Sequence, residues 1–428
     1  MPLPLFFLLF VAMLALGFPI YLALSGASVL YIALHPELSL LLAVQRMIAA
    51  PDSFVLLAVP FFILAGQIMN TGGVTTRIFT FARALVGHFR GGLGYVNVLG
   101  SVIFAGMSGS ALADAGGLGL IEIKAMRDDG YDDDFSIGLT AASATVGPII
   151  PPSIPFVIYG AMGGVSVAGL FMAGFIPGLI MSIALSVMVA IESRRRNYPL
   201  APRPSARELL RSFKAASLAL LMPVILIGGI WVGFFTPTEA AFVSILYALL
   251  ITVVVYKDLR PSAIPPMMIE TVRMVVPAMA IVAGASLFGW ILNYEKVDQL
   301  LMQLLLGITT NKYAALMIIN VVLLVLGMFL EVVSVIMLVL PILQPLIKVL
   351  GIDPIHLGVV MVLNLMIGLL TPPVGFVLYI LSSTTGRDFN FVVRAVMPWI
   401  LPLLVALVLI TLLPDLVLFL PRLTGFAG

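Results

Sequence analysis

Residues 147–153 read Gly147-Pro148-Ile149-Ile150-Pro151-Pro152-Ser153, and residues 368–375 read Gly368-Leu369-Leu370-Thr371-Pro372-Pro373-Val374-Gly375. Each stretch interrupts an apolar run long enough to be a helix, 134 to 163 in the first case and 355 to 385 in the second. Proline removes a backbone donor and clashes with the preceding turn, so a Pro-Pro pair there leaves carbonyls without helical partners. Inside a bilayer such carbonyls persist only where they line a cavity or bind a ligand.

That the surroundings are a bilayer follows from composition. Of 428 residues 61% are hydrophobic and 10% are charged, and the mean hydropathy is +1.19. A soluble domain carries roughly a quarter of its residues as charges, so this chain lacks the polar surface to cover itself in water. A net charge of +2 excludes an electrostatic nucleic-acid binder. The absence of cysteine excludes disulfides and thiolate chemistry, and three scattered histidines argue against a zinc centre.

Working outward, apolar runs of spanning length fall at 4 to 34, 54 to 71, 166 to 191, 214 to 235, 238 to 256, 271 to 292 and 392 to 413. The first is too long for a secretory signal and has no basic residue before it, so it reads as a retained first membrane helix. A third interrupted run, 92 to 127, is broken by Gly106-Met107-Ser108-Gly109-Ser110. Basic loops at Arg194 to Lys214, at Lys257 and Arg260, and at Arg77, Arg83 and Arg90 are placed in the cytoplasm. With both of its ends on that side, 92 to 127 is expected to be a re-entrant hairpin with its tip at Ser108 to Ser110. Residues 75 to 90 read as an amphipathic surface helix, and the acidic run Asp128 to Asp134 as a solvated loop.

The chain repeats itself. Gly147 and Pro151-Pro152 match Gly368 and Pro372-Pro373 at an offset of 221, as do Pro177 and Pro398, Gly106 and Gly327, and Ser110 and Glu331. Three crossings separate the units, which predicts that the second is inverted, with its hairpin over about 313 to 350. The expected organisation is an all-α polytopic membrane protein in one permease, 1–428. Residues 1–53 form an N-terminal scaffold helix and an amphipathic segment, and 54–192 form the first repeat. Residues 193–270 supply a cytoplasmic loop and scaffold helices, and 271–413 form the second repeat. Inverted repeats with paired broken helices point to a secondary transporter whose site lies near the midplane.

The chemistry-bearing residues gather at the interruptions. Small residues and hydroxyls at Gly106, Ser108 and Ser110 permit close backbone approach and face a cation with oxygen atoms; a tight turn between packed helices is the plainer alternative. Ser143 and Thr145 add hydroxyls before the first break, and Asn364 and Thr371 are their second-repeat counterparts. Acids in apolar segments cost roughly 2.5 to 3.5 kcal/mol on insertion scales. Asp114 and Glu331 therefore read either as ligands or proton carriers or as caps of the hairpin tips, and Glu239 as a helix-capping partner after Thr236. Gly106-Met107-Ser108-Gly109 also fits an intramembrane serine protease pattern, but His35, His88 and His356 all fall near loops, leaving that serine without a base. No Gly-x-x-x-x-Gly-Lys-Ser/Thr phosphate loop is present.

Taken together, Val59-Pro60-Phe61-Phe62, Met107-Ser108-Gly109-Ser110 with Ala113-Asp114, Gly147 to Ser153, Thr236-Pro237-Thr238-Glu239-Ala240-Ala241 and Thr371-Pro372-Pro373-Val374-Gly375 resemble the large membrane subunit of tripartite ATP-independent periplasmic (TRAP) transporters, over essentially the whole chain. The resemblance implies an elevator-type, sodium-coupled importer of organic anions such as C4-dicarboxylates or sialic acid in the bacterial inner membrane. It implies two partners, a small membrane subunit expected as a separate polypeptide and a soluble periplasmic binding protein. Two sodium sites are expected, one from Gly106, Ser108, Ser110, Ser143, Thr145 and Gly147, the other from Gly327, Glu331, Asn364, Gly368 and Thr371. The anion is expected between them, near Pro152, Ser153, Pro373, Val374 and Asp114, where half-helix N-termini offer amides. The N-terminus is expected in the cytoplasm and the C-terminus in the periplasm. A standalone sodium- or proton-coupled carrier of the same architecture is the alternative reading.

Overall fold

The computed structural model describes residues 1–198 and 200–426, and among them there is no β-sheet; a single isolated bridge joins Arg90 to Leu200. Among the described residues eight helices are long and apolar enough to cross a membrane.

The N-terminal run departs from the single membrane helix expected over 4 to 34. It forms α1 (Leu3–Ala15) and α2 (Ile20–Ala33), separated by Gly17 at φ +85° and Pro19. The amide of Phe18 donates back to Met13 O, which closes the end of α1. The two helices run antiparallel: Phe6 packs edge-on against Tyr31 with ring centroids 5.3 Å apart, and the Met1 amino group lies 3.3 Å from His35 Nε2. At 13 and 14 residues each is about 20 Å long, short of a hydrocarbon core of about 30 Å. The amphipathic α3 (Leu40–Ala49) follows, capped by Ser39.

The helices of the first repeat come next. A 3-10 turn at Phe54–Leu57 leads into α4 (Ala58–Thr71), and α5 (Val74–Val86) buries the stripe Val74, Thr75, Ile78 and Ala82. The first hairpin is α6 (Gly92–Ser108), α7 (Ala111–Gly116) and α8 (Leu118–Asp128), so its second arm is itself broken at Gly117. The broken helix is α9 (Asp133–Ala144) and α10 (Ile154–Gly163), followed by α11 (Val167–Arg195). Two long helices come next, α12 (Ala206–Trp231) and α13 (Pro237–Leu249), the latter extended by a π-helical turn to Val255.

From the hairpin onward the second repeat follows the first element for element at the offset of 221, with its second hairpin arm unbroken. It comprises α14 (Ile264–Tyr294), α15 (Val297–Ile308), the hairpin α16 (Lys312–Phe329) and α17 (Val332–Leu350), the broken helix α18 (Pro354–Gly368) and α19 (Phe376–Thr385), and α20 (Phe389–Leu412). A final helix, α21 (Pro414–Leu423), lies against α11. Both Pro-Pro bonds, Pro151-Pro152 and Pro372-Pro373, are cis. The leading helices cross over: α2 packs along α14 of the second repeat, and α13 packs along α4 of the first. The α12–α13 pair repeats the N-terminal pattern, with Gly233 at φ +81° and Phe234 N donating to Gly229 O before Pro237.

One face of the molecule collects most of the arginine ion pairs. Arg77 pairs with Asp258 (2.6 Å), Arg83 with Asp129 (3.0 Å), Arg127 with Asp133 (2.6 Å), and Arg196 with both Asp132 (3.0 Å) and Asp134 (2.7 Å). Arg387 also binds Asp133 through Nε at 2.6 Å. The acidic run is thus a set of ion pairs rather than a loop merely bathed in solvent. Tyr31 donates to Glu295 at the other end of α14 from Lys257 and Arg260. Met1 therefore lies at the opposite end of the molecule from these ion pairs. Phe426 lies opposite them too, with its carbonyl oxygen beside Gly169 at the start of α11.

Candidate functional site

Each hairpin tip rests on a broken helix. In the first repeat α6 stops at Ser108, Gly109 turns at φ +59°, and Ser110 caps α7 by accepting from Ala113 N (3.4 Å). A Cβ built on Gly109 would lie 2.6 Å from Pro152 O, and one built on Gly147 would lie 4.0 Å from both Ser110 O and Asp114 Oδ2. Gly109, Ser110, Asp114, Gly147 and Pro152 thus converge. Ser143 Oγ donates to Asn97 Oδ1 (2.6 Å), and Asn97 Nδ2 donates to Thr140 Oγ1 (2.7 Å), tying the hairpin to the broken helix. Thr145 donates to Ala142 O (2.6 Å), and the carbonyls of Thr145 and Gly147 accept no backbone hydrogen bond.

The second tip repeats the arrangement with different side chains. Gly327 lies against Gly368, and Val374 N donates to Met328 O (3.3 Å). Glu331, at the position of Ser110, caps α17 by accepting from Val333 N (3.0 Å). Asn364 donates to Asn320 O (2.9 Å), and Asn320 Nδ2 donates to Thr411 Oγ1 (2.9 Å). Thr371 Oγ1 donates to Ile367 O (2.9 Å). The halves interlock: Gly116 of α7 meets Ile380 of α19, and Gly163 at the end of α10 meets Leu340 of α17.

Several acceptors in these places are left without partners. Ser108 Oγ, both carboxylate oxygens of Asp114 and Asn364 Oδ1 are buried and make no hydrogen bond. Buried acceptors are rarely left unsatisfied, and oxygen-rich unpartnered clusters suit a hard cation. Among the anion candidates, Ser153 Oγ caps α10 by accepting from Phe156 N (3.2 Å), and Pro152 and Ser153 are buried while Pro373 is exposed. No hydrogen bond joins 151–153 to 372–374. Glu239 completes a capping box with Thr236 at the head of α13, the structural role read from its sequence. Ser108 has no base: His35 bonds Tyr31 O, His356 bonds Ile410 O, and His88 packs on Phe89. Asn97, Thr140 and Asn320 were not singled out in the sequence, although a lone asparagine inside an apolar helix is a visible signal for the first and third.

Residues 7–416 match the family described as "Tripartite ATP-independent periplasmic transporter, DctM component". The chain is 47% identical over 407 residues to the sialic acid TRAP transporter large permease protein SiaM of Vibrio cholerae, covering 95% of each. It is 40% identical over 406 residues to the C4-dicarboxylate TRAP transporter large permease protein DctM of Pseudomonas aeruginosa, again covering 95% of each. The Alcanivorax borkumensis YdaH transporter shares the fold, with a TM-score of 0.65 at 15% identity over 95% of this chain and 98% of that one. The chain belongs to the DctM family, the large permease component of tripartite ATP-independent periplasmic transporters.

Proposed function

We propose that this permease drives uptake of an organic carboxylate with sodium ions bound at the two hairpin tips. The observation that carries the reading is the set of buried, unpartnered oxygens on Ser108, Asp114 and Asn364 beside glycine-lined breaks. One sodium would be held by Ser108, Ser110 and the carbonyls around Gly106, Thr145 and Gly147, with Ser143 positioning that segment. The other would be held by Gly327, Gly368, Thr371 and Asn364, with Glu331 beside it. Asp114 stands with Ser110 and Gly147, where a carboxylate favours a cation and repels an anion, so it belongs with the first sodium rather than with the substrate.

The carboxylate is the chemistry common to the sialic acid and C4-dicarboxylate named for the relatives. It would sit between the tips, near Pro152, Ser153, Pro373 and Val374, drawing on exposed amides and on the positive charge of the bound ions. The interlocked hairpins and broken helices would move as an elevator against α1–α5 and α12–α15. An apolar cavity of about 380 Å³ lies between α1, α14 and α15 on one side and α16 and α17 on the other, along the seam that such a movement would use. With the arginine face in the cytoplasm, Met1 and Phe426 lie on the periplasmic side. A small membrane subunit and a periplasmic binding protein would complete the machine.

The test is uptake of labelled sialic acid and of succinate into proteoliposomes containing the permease, its small subunit and its binding protein. A sodium gradient should be required, and Ser110→Leu or Thr371→Leu should abolish uptake in folded protein. Uptake that persists without sodium, or that follows a pH gradient alone, would refute the coupling.

A further inference from the structure

Glu122 lies on α8, within the second arm of the first hairpin, and is 1% exposed. Neither carboxyl oxygen has a hydrogen-bond partner. The space it occupies is made by Gly100 on α6, where a Cβ would come to 2.6 Å from Glu122 Oε1. Next along α6 is Ser101, also 1% exposed, whose hydroxyl is buried without a partner. A carboxylate so placed makes no hydrogen bond to any described residue that would stabilise its charge.

Nor does a base neutralise it. The elements packed on α8 are α5, α6, α7 and α9. On α5, Arg77 and Arg83 are held by Asp258 and Asp129. On α6 the one titratable residue is Tyr95, and on α7 it is Asp114, an acid close enough to repel Glu122. On α9, Asp133 and Asp134 are taken by Arg127, Arg387 and Arg196. On α8 itself Lys124 and Asp128 are exposed, as is Arg127.

We propose that Glu122 is a proton-binding site built into the first hairpin, distinct from the sodium positions, which makes the permease sensitive to pH on its arginine-bearing face. Packed as here, the carboxyl carries its proton and the hairpin arm is neutral. Glu122 stands six residues, about 9 Å along the axis, from Asp128 at the end of α8, so the proton exchanges with water on that side. Loss of the proton leaves a charge between α6 and α8 with nothing to meet it, and the hairpin loosens.

Two measurements test this. In the first, the solubilised permease is titrated by infrared spectroscopy with Asp114→Asn as background, so that Asp114 does not contribute. A protonated-carboxyl band at neutral pH that disappears in the further variant Glu122→Gln, and fades on alkaline titration when Glu122 is present, is expected; its absence at neutral pH overturns the proposal. The second rests on the transport reading: sodium-driven uptake is followed while the pH on the arginine-bearing side is raised. Uptake should fall at least threefold in the native chain and change less than twofold in Glu122→Gln, and parallel profiles would overturn the link to transport. The infrared arm needs neither partner chains nor substrate, so it separates failure of this proposal from failure of the sodium reading.

Discussion

Gly327 and Gly368 meet backbone to backbone: a Cβ on Gly368 would lie 2.7 Å from Gly327 Cα, and one on Gly327 would lie 3.2 Å from Gly368 Cα. This contact seats the second hairpin on its broken helix and brings Met328 O within reach of Val374 N. No flexible side chain is available to yield.

Gly368→Ala should therefore push the tip away from the break. The expected cost is about 1–3 kcal/mol, the usual range for overpacking, together with loss of sodium-dependent uptake. Gly228→Ala, where nothing lies within 4 Å, should leave both melting temperature and uptake unchanged. Equal behaviour of the two variants would rule out the contact as a determinant of the second site.

The asparagine bridges give a second prediction. Asn320→Ala removes the side-chain acceptor Asn320 Oδ1, leaving the Asn364 amide only the backbone Asn320 O, and takes the amide donor away from Thr411 Oγ1. Losing buried hydrogen bonds and leaving their partners underbonded costs about 1–3 kcal/mol, so a detergent melt should drop by several degrees. Asn97→Ala should act likewise through Ser143 and Thr140, whereas Asn390→Ala, on an exposed helix end, should not.

Asp133 couples stability to pH. Partial burial alone would raise its carboxyl, but the hydrogen bonds from Arg127 and Arg387 outweigh burial and hold it below the ordinary value of 3.8. Because the folded value is depressed, the stabilisation is present above about pH 4 and is lost as pH falls through the folded value. Asp133→Asn should cost about 1 kcal/mol at pH 7, typical of a partly exposed ion-pair cluster. The difference from the native chain should shrink in melts carried toward pH 3.

At the head of α13, Thr236→Ala should cost about 1 kcal/mol through the lost cap, with sodium-driven uptake intact. Glu239→Gln keeps a side chain able to accept from Thr236 N and should also leave uptake and its sodium dependence unchanged. Loss of coupling in Glu239→Gln would instead assign Glu239 a part in ion binding.

The parts of this fold that could be read in the sequence are those marked by backbone chemistry. Pro151-Pro152 and Pro372-Pro373 locate both breaks, and the offset of 221 carries the hairpin tip from Ser110 to Glu331, both of which cap a helix. The α1–α2 turn was hidden because Leu3–Ala33 is apolar throughout, so Gly17 and Pro19 looked like tolerated interruptions of one helix. The ion pairs of Asp132, Asp133 and Asp134 were hidden because their partners lie as far away as Arg387, and spacing reveals only neighbours. At the site, Ser108 and Asp114 were legible as polar atoms in apolar helices. The closure of the second tip by Gly327 on Gly368 needed the packed backbone to be seen.

The crossing of α2 onto α14 and of α13 onto α4 has a consequence for how the protein is made. When α2 leaves the ribosome its partner is still more than 200 residues from synthesis, which at about 5–20 residues per second is a wait of tens of seconds. Until then α1 and α2, too short to span alone, must be kept at the membrane by lipid, by the insertion machinery or by another chain. Neither half of the permease is a self-sufficient folding unit, and a ribosome that stalls after α13 releases a product whose first two helices have nowhere to dock.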